Sequence, residues 1–119
     1  MVLGRKNKPE PIIRVWDDRC EIESNGNTHA MFEWSNISKI HTYKLDLFTT
    51  DCICLLVESD DLDDPLELSE EWIGFEQVID ALPHHFSNLD PNWYALVMKP
   101  AFEPNYRIIY DRNSCHVAV

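Results

Sequence analysis

The chain has 119 residues, enough for one ordinary domain and too few for two independent cores. A 45% hydrophobic fraction with 13 aromatic residues supplies apolar material for a packed core and excludes disorder except at the ends. The formal net charge of −11 opposes non-specific attraction to nucleic-acid phosphates and to anionic lipid.

The distribution of charge says more than its sum. Between Lys44 and Lys99 there is no Lys or Arg, yet that stretch carries 13 Asp and Glu, ten of them from Glu58 to Asp80. The basic residues lie outside it, several within the first nineteen positions.

Residues 1–11 are polar and basic with two prolines and read as a flexible leader, with no apolar run that would mark a secretory signal. Ile12–Trp16 is β-branched and aromatic, a strand signal, and Asp17-Asp18 marks a turn. Cys20-Glu21-Ile22-Glu23 alternates like a half-exposed strand. Asn25-Gly26 predicts a hairpin because both residues tolerate positive φ, and the returning strand spans His29 to Trp34. Ile37, Ile40 and Tyr43 fit a strand through Lys44, with or without a short helical turn before it.

Asp51–Glu58 is the clearest buried strand, a short apolar run bounded by polar residues. Its longest apolar stretch, Ile53–Val57, is far too short to cross a bilayer. After the acidic loop Ser59–Asp64, Pro65-Leu66-Glu67-Leu68 suits a short strand at an edge, where proline is tolerated.

A helix is expected over about 69–83, with Ser69 as cap, Glu70 and Glu71 in the first turn, and Leu68 and Ile73 at the staple positions. Trp72, Phe75, Ile79 and Leu82 make its apolar stripe, Glu76 and Asp80 its wet side, and Pro83 ends or bends it. Asp90-Pro91 opens a short second helix over about 91–99, with Trp93, Leu96 and Val97 inward and Pro100 as stop. Tyr106–Tyr110 has strand composition, and a tail follows from residue 113. Strands followed by helices give an α+β fold, with one curved antiparallel sheet of about 5–6 strands packed by the main helix. Residues 12–112 form its single globular domain.

The three glycines, Gly4, Gly26 and Gly74, form no phosphate-cradling loop, and no serine sits in a nucleophile elbow. Cys52 and Cys54 point to one face of a strand beside Leu56, which reads as core packing. Their possible co-ligands His84, His85, Cys115 and His116 follow no zinc spacing. A calcium loop starting at Asp61 would need an oxygen ligand at Pro65 and a glycine at Leu66. Neither a metal nor another cofactor is expected, and the four cysteines read as reduced thiols in a cytoplasmic protein. His84-His85 suits a helix C-terminus, with acid–base chemistry as the alternative.

Glu33-Trp34-Ser35-Asn36-Ile37-Ser38-Lys39-Ile40, then Tyr43-Lys44 and the Cys52 strand, resembles a group of small acidic bacterial proteins of no assigned activity. The Gly74-Phe75 helix, Trp93 with Pro100, and Phe102–Asn105 look similar to the later half of that group. The strand-to-helix order is loosely similar to a pleckstrin-homology sheet, without its basic phosphoinositide pocket. These motifs are structural and transfer no catalytic residue. By fold-level analogy with toxin–immunity systems, the resemblance implies an immunity protein.

The expected function is a non-enzymatic, cytoplasmic protein-binding module that neutralises a cationic toxin by occlusion, with a basic protein as partner and neither nucleic acid nor membrane. The candidate surface is Glu58, Asp60, Asp61, Asp63, Asp64, Glu67, Glu70 and Glu71, with Trp72 as aromatic anchor. The acidic block reads equally as a solvated face that keeps the chain soluble. The alternatives are a small-ligand binder or enzyme using His84, His85 or the cysteines, and a structural accessory domain.

Overall fold

The computed structural model describes residues 10–46, 50–99 and 105–113. Most of the expected leader, most of the tail, Cys115, His116, Pro100 and Phe102 lie outside the described residues.

Three strands, β1 (Ile12–Val15), β2 (Arg19–Ser24) and β3 (Asn27–Glu33), form an antiparallel meander in the order β1-β2-β3. Asn25 (φ 56°) and Gly26 (φ 80°) make the expected two-residue turn, with Ser24 facing Asn27 across it. The register sets Ile13, Ile22 and Ala30 on one face with Val15, Cys20 and Phe32, and sets Arg14, Glu21 and Met31 on the other.

A second antiparallel sheet has the order β6-β5-β4-β7, from β4 (Ile37–Asp46), β5 (Asp51–Ser59), β6 (Leu66–Ser69) and β7 (Arg107–Asp111). The architecture is therefore α+β as expected, but the seven strands among the described residues divide between two sheets instead of sharing one curved sheet. The division falls at a 3-10 turn, Trp34–Asn36, where the chain leaves β3 and enters β4. Trp34 is buried there, its backbone N–H donating to Asp18 O at 3.1 Å and its indole Nε1–H to Trp16 O at 3.0 Å. Anchored at both groups, the corner cannot flatten into a continuous sheet.

Two helices follow, α1 (Phe75–His85) and α2 (Trp93–Met98). The main helix starts six residues later than expected. Ser69 is the last residue of β6, and its hydroxyl accepts from Glu71 N at 3.1 Å in a local turn instead of capping a helix. The staple is also absent, since Leu68 is buried in β6 opposite Leu55 of β5 while Ile73 is 68% exposed. The helix instead opens from Gly74, whose φ of 98° and position against β1 only glycine accepts: a Cβ there would lie 2.0 Å from Ile13 O. Phe75, Val78 and Leu82 are its buried stripe, with Ile79 only partly covered and Glu76 and Asp80 exposed. Pro83 neither ends nor interrupts it. The helix continues through His85, and Phe86 N closes the last turn on Leu82 O at 2.8 Å.

One core joins all these layers. Ile13, Ile22 and Phe32 from the first sheet meet Ile40, Ile53, Leu55 and Val57 from the second, and Val78, Leu82, Trp93 and Val97 from the helices. Lys44 points inward as well, its ammonium 2.6 Å from Met98 O and 3.5 Å from Asp51. No helix among the described residues is long and apolar enough to cross a membrane.

Candidate functional site

The acidic block comes apart into carboxylates that hold the fold and carboxylates that face outward. Asp61 belongs to the first kind. It accepts from Glu33 N at 2.8 Å and from Asn36 Nδ2 at 3.1 Å, bracing the corner between the sheets. Asp60 assists, pairing at 3.0 Å with an Arg112 guanidinium that also donates to Asn36 O. The loop can do this because Leu62 N and Asp61 N both turn back onto Ser59, at its carbonyl and its hydroxyl.

Glu70 is structural in a different way. Its N–H donates to Ile53 O while its Oε1 accepts from Ile53 N, so one residue adds two rungs beyond β6. Its second oxygen accepts from the Tyr94 hydroxyl and ties α2 to the sheet. Glu67 accepts from the Tyr43 hydroxyl across the outer sheet face. Burial first, and then these carboxylate partners, hold both phenols well above the usual tyrosine range.

Glu58 lies at 2.5 Å from His41 Nε2, and His41 Nδ1 lies at 2.6 Å from the Tyr106 hydroxyl. His41 is buried whereas Tyr106 is 57% exposed, so a carboxylate–imidazole–phenol chain runs from the sheet to solvent. Sequence reasoning missed it, because its members are 17 and 65 residues apart.

Asp63, Asp64 and Glu71 are exposed and have no side-chain partner among the described residues. Trp72, the expected anchor, is half-buried against the core. Glu76 and Asp80 on α1, absent from the candidate surface, are exposed and make no side-chain hydrogen bond or ion pair among the described residues, though the Glu76 charge is felt at Tyr94. With Lys44 turned inward, no Lys or Arg reaches the surface between Lys39 and Lys99.

Cys52 and Cys54 do share a face with Leu56, but it is the face opposite Ile53, Leu55 and Val57. Both thiols are nonetheless buried, and Cys52 Sγ lies 3.3 Å from Ser69 Oγ. Burial raises the Cys54 thiol well above its ordinary range and the Cys20 thiol to about 12, so neither is a ready nucleophile. His85 stacks on Trp34, ring centroids 4.8 Å apart and planes 12° from parallel. Desolvation by burial, and then His84 beside it, lower its pKa, against an opposing pull from Asp17. Among the described residues no three His, Cys, Asp or Glu side chains converge as a metal site would require.

A groove of about 540 Å³ lies between the later half of α1 and the start of α2. No family model matches the chain, and no curated protein or solved structure matches it.

Proposed function

We propose that the protein is an acidic binding module for a cationic protein, acting by occlusion, and that a toxin such as a nuclease is the partner class. The observation that carries this reading is the set of exposed carboxylates Asp63, Asp64, Glu71, Glu76 and Asp80, none in an ion pair among the described residues, on a stretch of chain with no surface Lys or Arg between Lys39 and Lys99. Such a surface speeds encounter with a basic partner and repels acidic ones. Relative to the sequence expectation the interface contracts. Asp60, Asp61, Glu67 and Glu70 hold the fold, and Glu58 is engaged by His41.

The test is affinity capture followed by stopped-flow association. The captured partner should be basic, and its association should slow as salt rises, because exposed charges are screened beyond roughly 8 Å at physiological ionic strength. Replacing Asp63, Asp64, Glu71 and Glu76 by their amides should lower the association rate about tenfold with little change in stability. An association rate indifferent to both salt and the amides would reject the reading.

A second reading rests on the His41 chain. Glu58 orients the imidazole, His41 shares a proton with Tyr106, and Tyr106 presents that proton at the surface. On this reading the protein is an enzyme transferring a proton at Tyr106, and Tyr106→Phe would abolish turnover while leaving partner association unchanged.

A further inference from the structure

The groove between α1 and α2 has two chemically different parts. Its floor is apolar, formed by Phe86, Leu89 and Trp93, each less than a tenth exposed, with Ile79 as a wall. Its rim carries the exposed carboxylates of Asp80 and Asp90 and no Lys or Arg. The shape is fixed by short-range bonds. Phe86 N donates to Leu82 O, Leu89 N to Phe86 O and Trp93 N to Asp90 O, and Glu70 holds the neighbouring Tyr94 from the sheet. One Asp90 oxygen accepts from Asn92 N at 2.9 Å, while Asp80 has no side-chain partner among the described residues.

We infer that this groove receives an apolar side chain flanked by Arg or Lys from the cationic partner, an inference that rests on the reading proposed above. The floor is favourable only to a ligand that brings apolar surface. An uncharged or anionic ligand seated there would desolvate the two rim carboxylates without pairing them, which is costly. A cation beside an apolar anchor satisfies both parts, the anchor on the floor and the cation at the rim carboxylates. The volume lies within the range of ordinary ligand clefts, roughly 300–1,000 Å³.

The probe is an acetylated, amidated pentapeptide with leucine between two pairs of arginines, titrated at low salt into the ¹⁵N-labelled full chain. A second peptide carries glycine in place of leucine. The leucine peptide should shift the Trp93 indole resonance and the amides from Ile79 to Asp90, and bind roughly tenfold more tightly than the glycine peptide. Asp80→Lys, a substitution at an exposed site, should weaken it about tenfold. Two outcomes would overturn the groove while leaving the acidic-surface reading standing. In one, both peptides shift mainly Asp63, Asp64 and Glu71 with equal affinity. In the other, leucine-peptide binding is unchanged by Asp80→Lys. Absence of shifts with either peptide would likewise overturn the groove, while the acidic-surface reading stands or falls on the salt and amide dependence of partner association.

Discussion

Gly74→Ala tests the seam on which the helical layer is hung. The added Cβ would meet Ile13 O at 2.0 Å, a backbone atom with no flexible end to swing aside, and φ of 98° would have to be kept by a residue that disfavours it. The conformational part costs about 1–3 kcal/mol. Relieving the clash means separating β1 from the loop, which breaks the 2.8 Å bond from Ile13 N to Ile73 O and disturbs the buried Ile13 side chain. Those losses add about 1 kcal/mol for the hydrogen bond and 1–3 for the displaced packing. Reduced freedom of the unfolded chain returns about 0.4–1 kcal/mol. The net loss is about 2–7 kcal/mol, a large share of the ~5–15 kcal/mol typical of a domain. In a urea titration with an m-value near 2 kcal/mol/M the midpoint should fall by about 1–3 M at unchanged m. Gly26→Ala is the matched control, since its φ is 80° but nothing lies within 4 Å of the added carbon. With the same unfolded-chain return it should cost less than about 2 kcal/mol. Equal midpoints for the two variants would show that the Ile13 contact is not what fixes the seam.

Leu82→Ala should cost about 2–5 kcal/mol and Ile79→Ala clearly less, with Glu76→Ala within about 0.5, as read by the same titration. Asp61→Ala, by releasing Glu33 N and Asn36 Nδ2, should lose about 1 kcal/mol, whereas Asp63→Asn should stay within about 0.5. Because the folded state lowers the His85 pKa below the ordinary 6.5, the unfolded chain takes the proton more readily. This contribution is therefore present above pH 6.5 and lost as pH falls through the lowered value. His85→Phe, keeping a ring against Trp34, should lose less stability than the native protein between neutral and mildly acidic pH.

Much of the fold was legible where the signal is local. The Asn25-Gly26 hairpin, the buried β5 run and the edge strand behind Pro65 all follow from short-range chemistry, and the structure has each of them. The helix start was not legible, because Ser69-Glu70-Glu71 satisfies a capping pattern equally well as a turn at a strand end. The acidic block shows the same limit from another side. Sequence reveals that Asp61 and Glu70 are charged, but their partners Glu33, Asn36, Ile53 and Tyr94 lie 17–28 residues away. The α1–α2 groove had no sequence signal at all, since Phe86, Leu89 and Trp93 share a floor only after two helices have packed.

The bond from Ile13 N to Ile73 O also bears on how the protein behaves in a crowd of its own copies. A strand at a sheet margin offers unpaired backbone groups to any neighbouring chain, and β1 combines such a margin with Ile12, Ile13 and Val15. The chain occupies part of that margin with its own loop, so the three-stranded sheet is blocked from growing by intermolecular strand addition there. At the opposite margin, Asp61 takes the Glu33 N–H at the end of β3. Damage at either point would leave the secondary structure largely in place and open a sticky border, and its first visible symptom would be self-association ahead of unfolding.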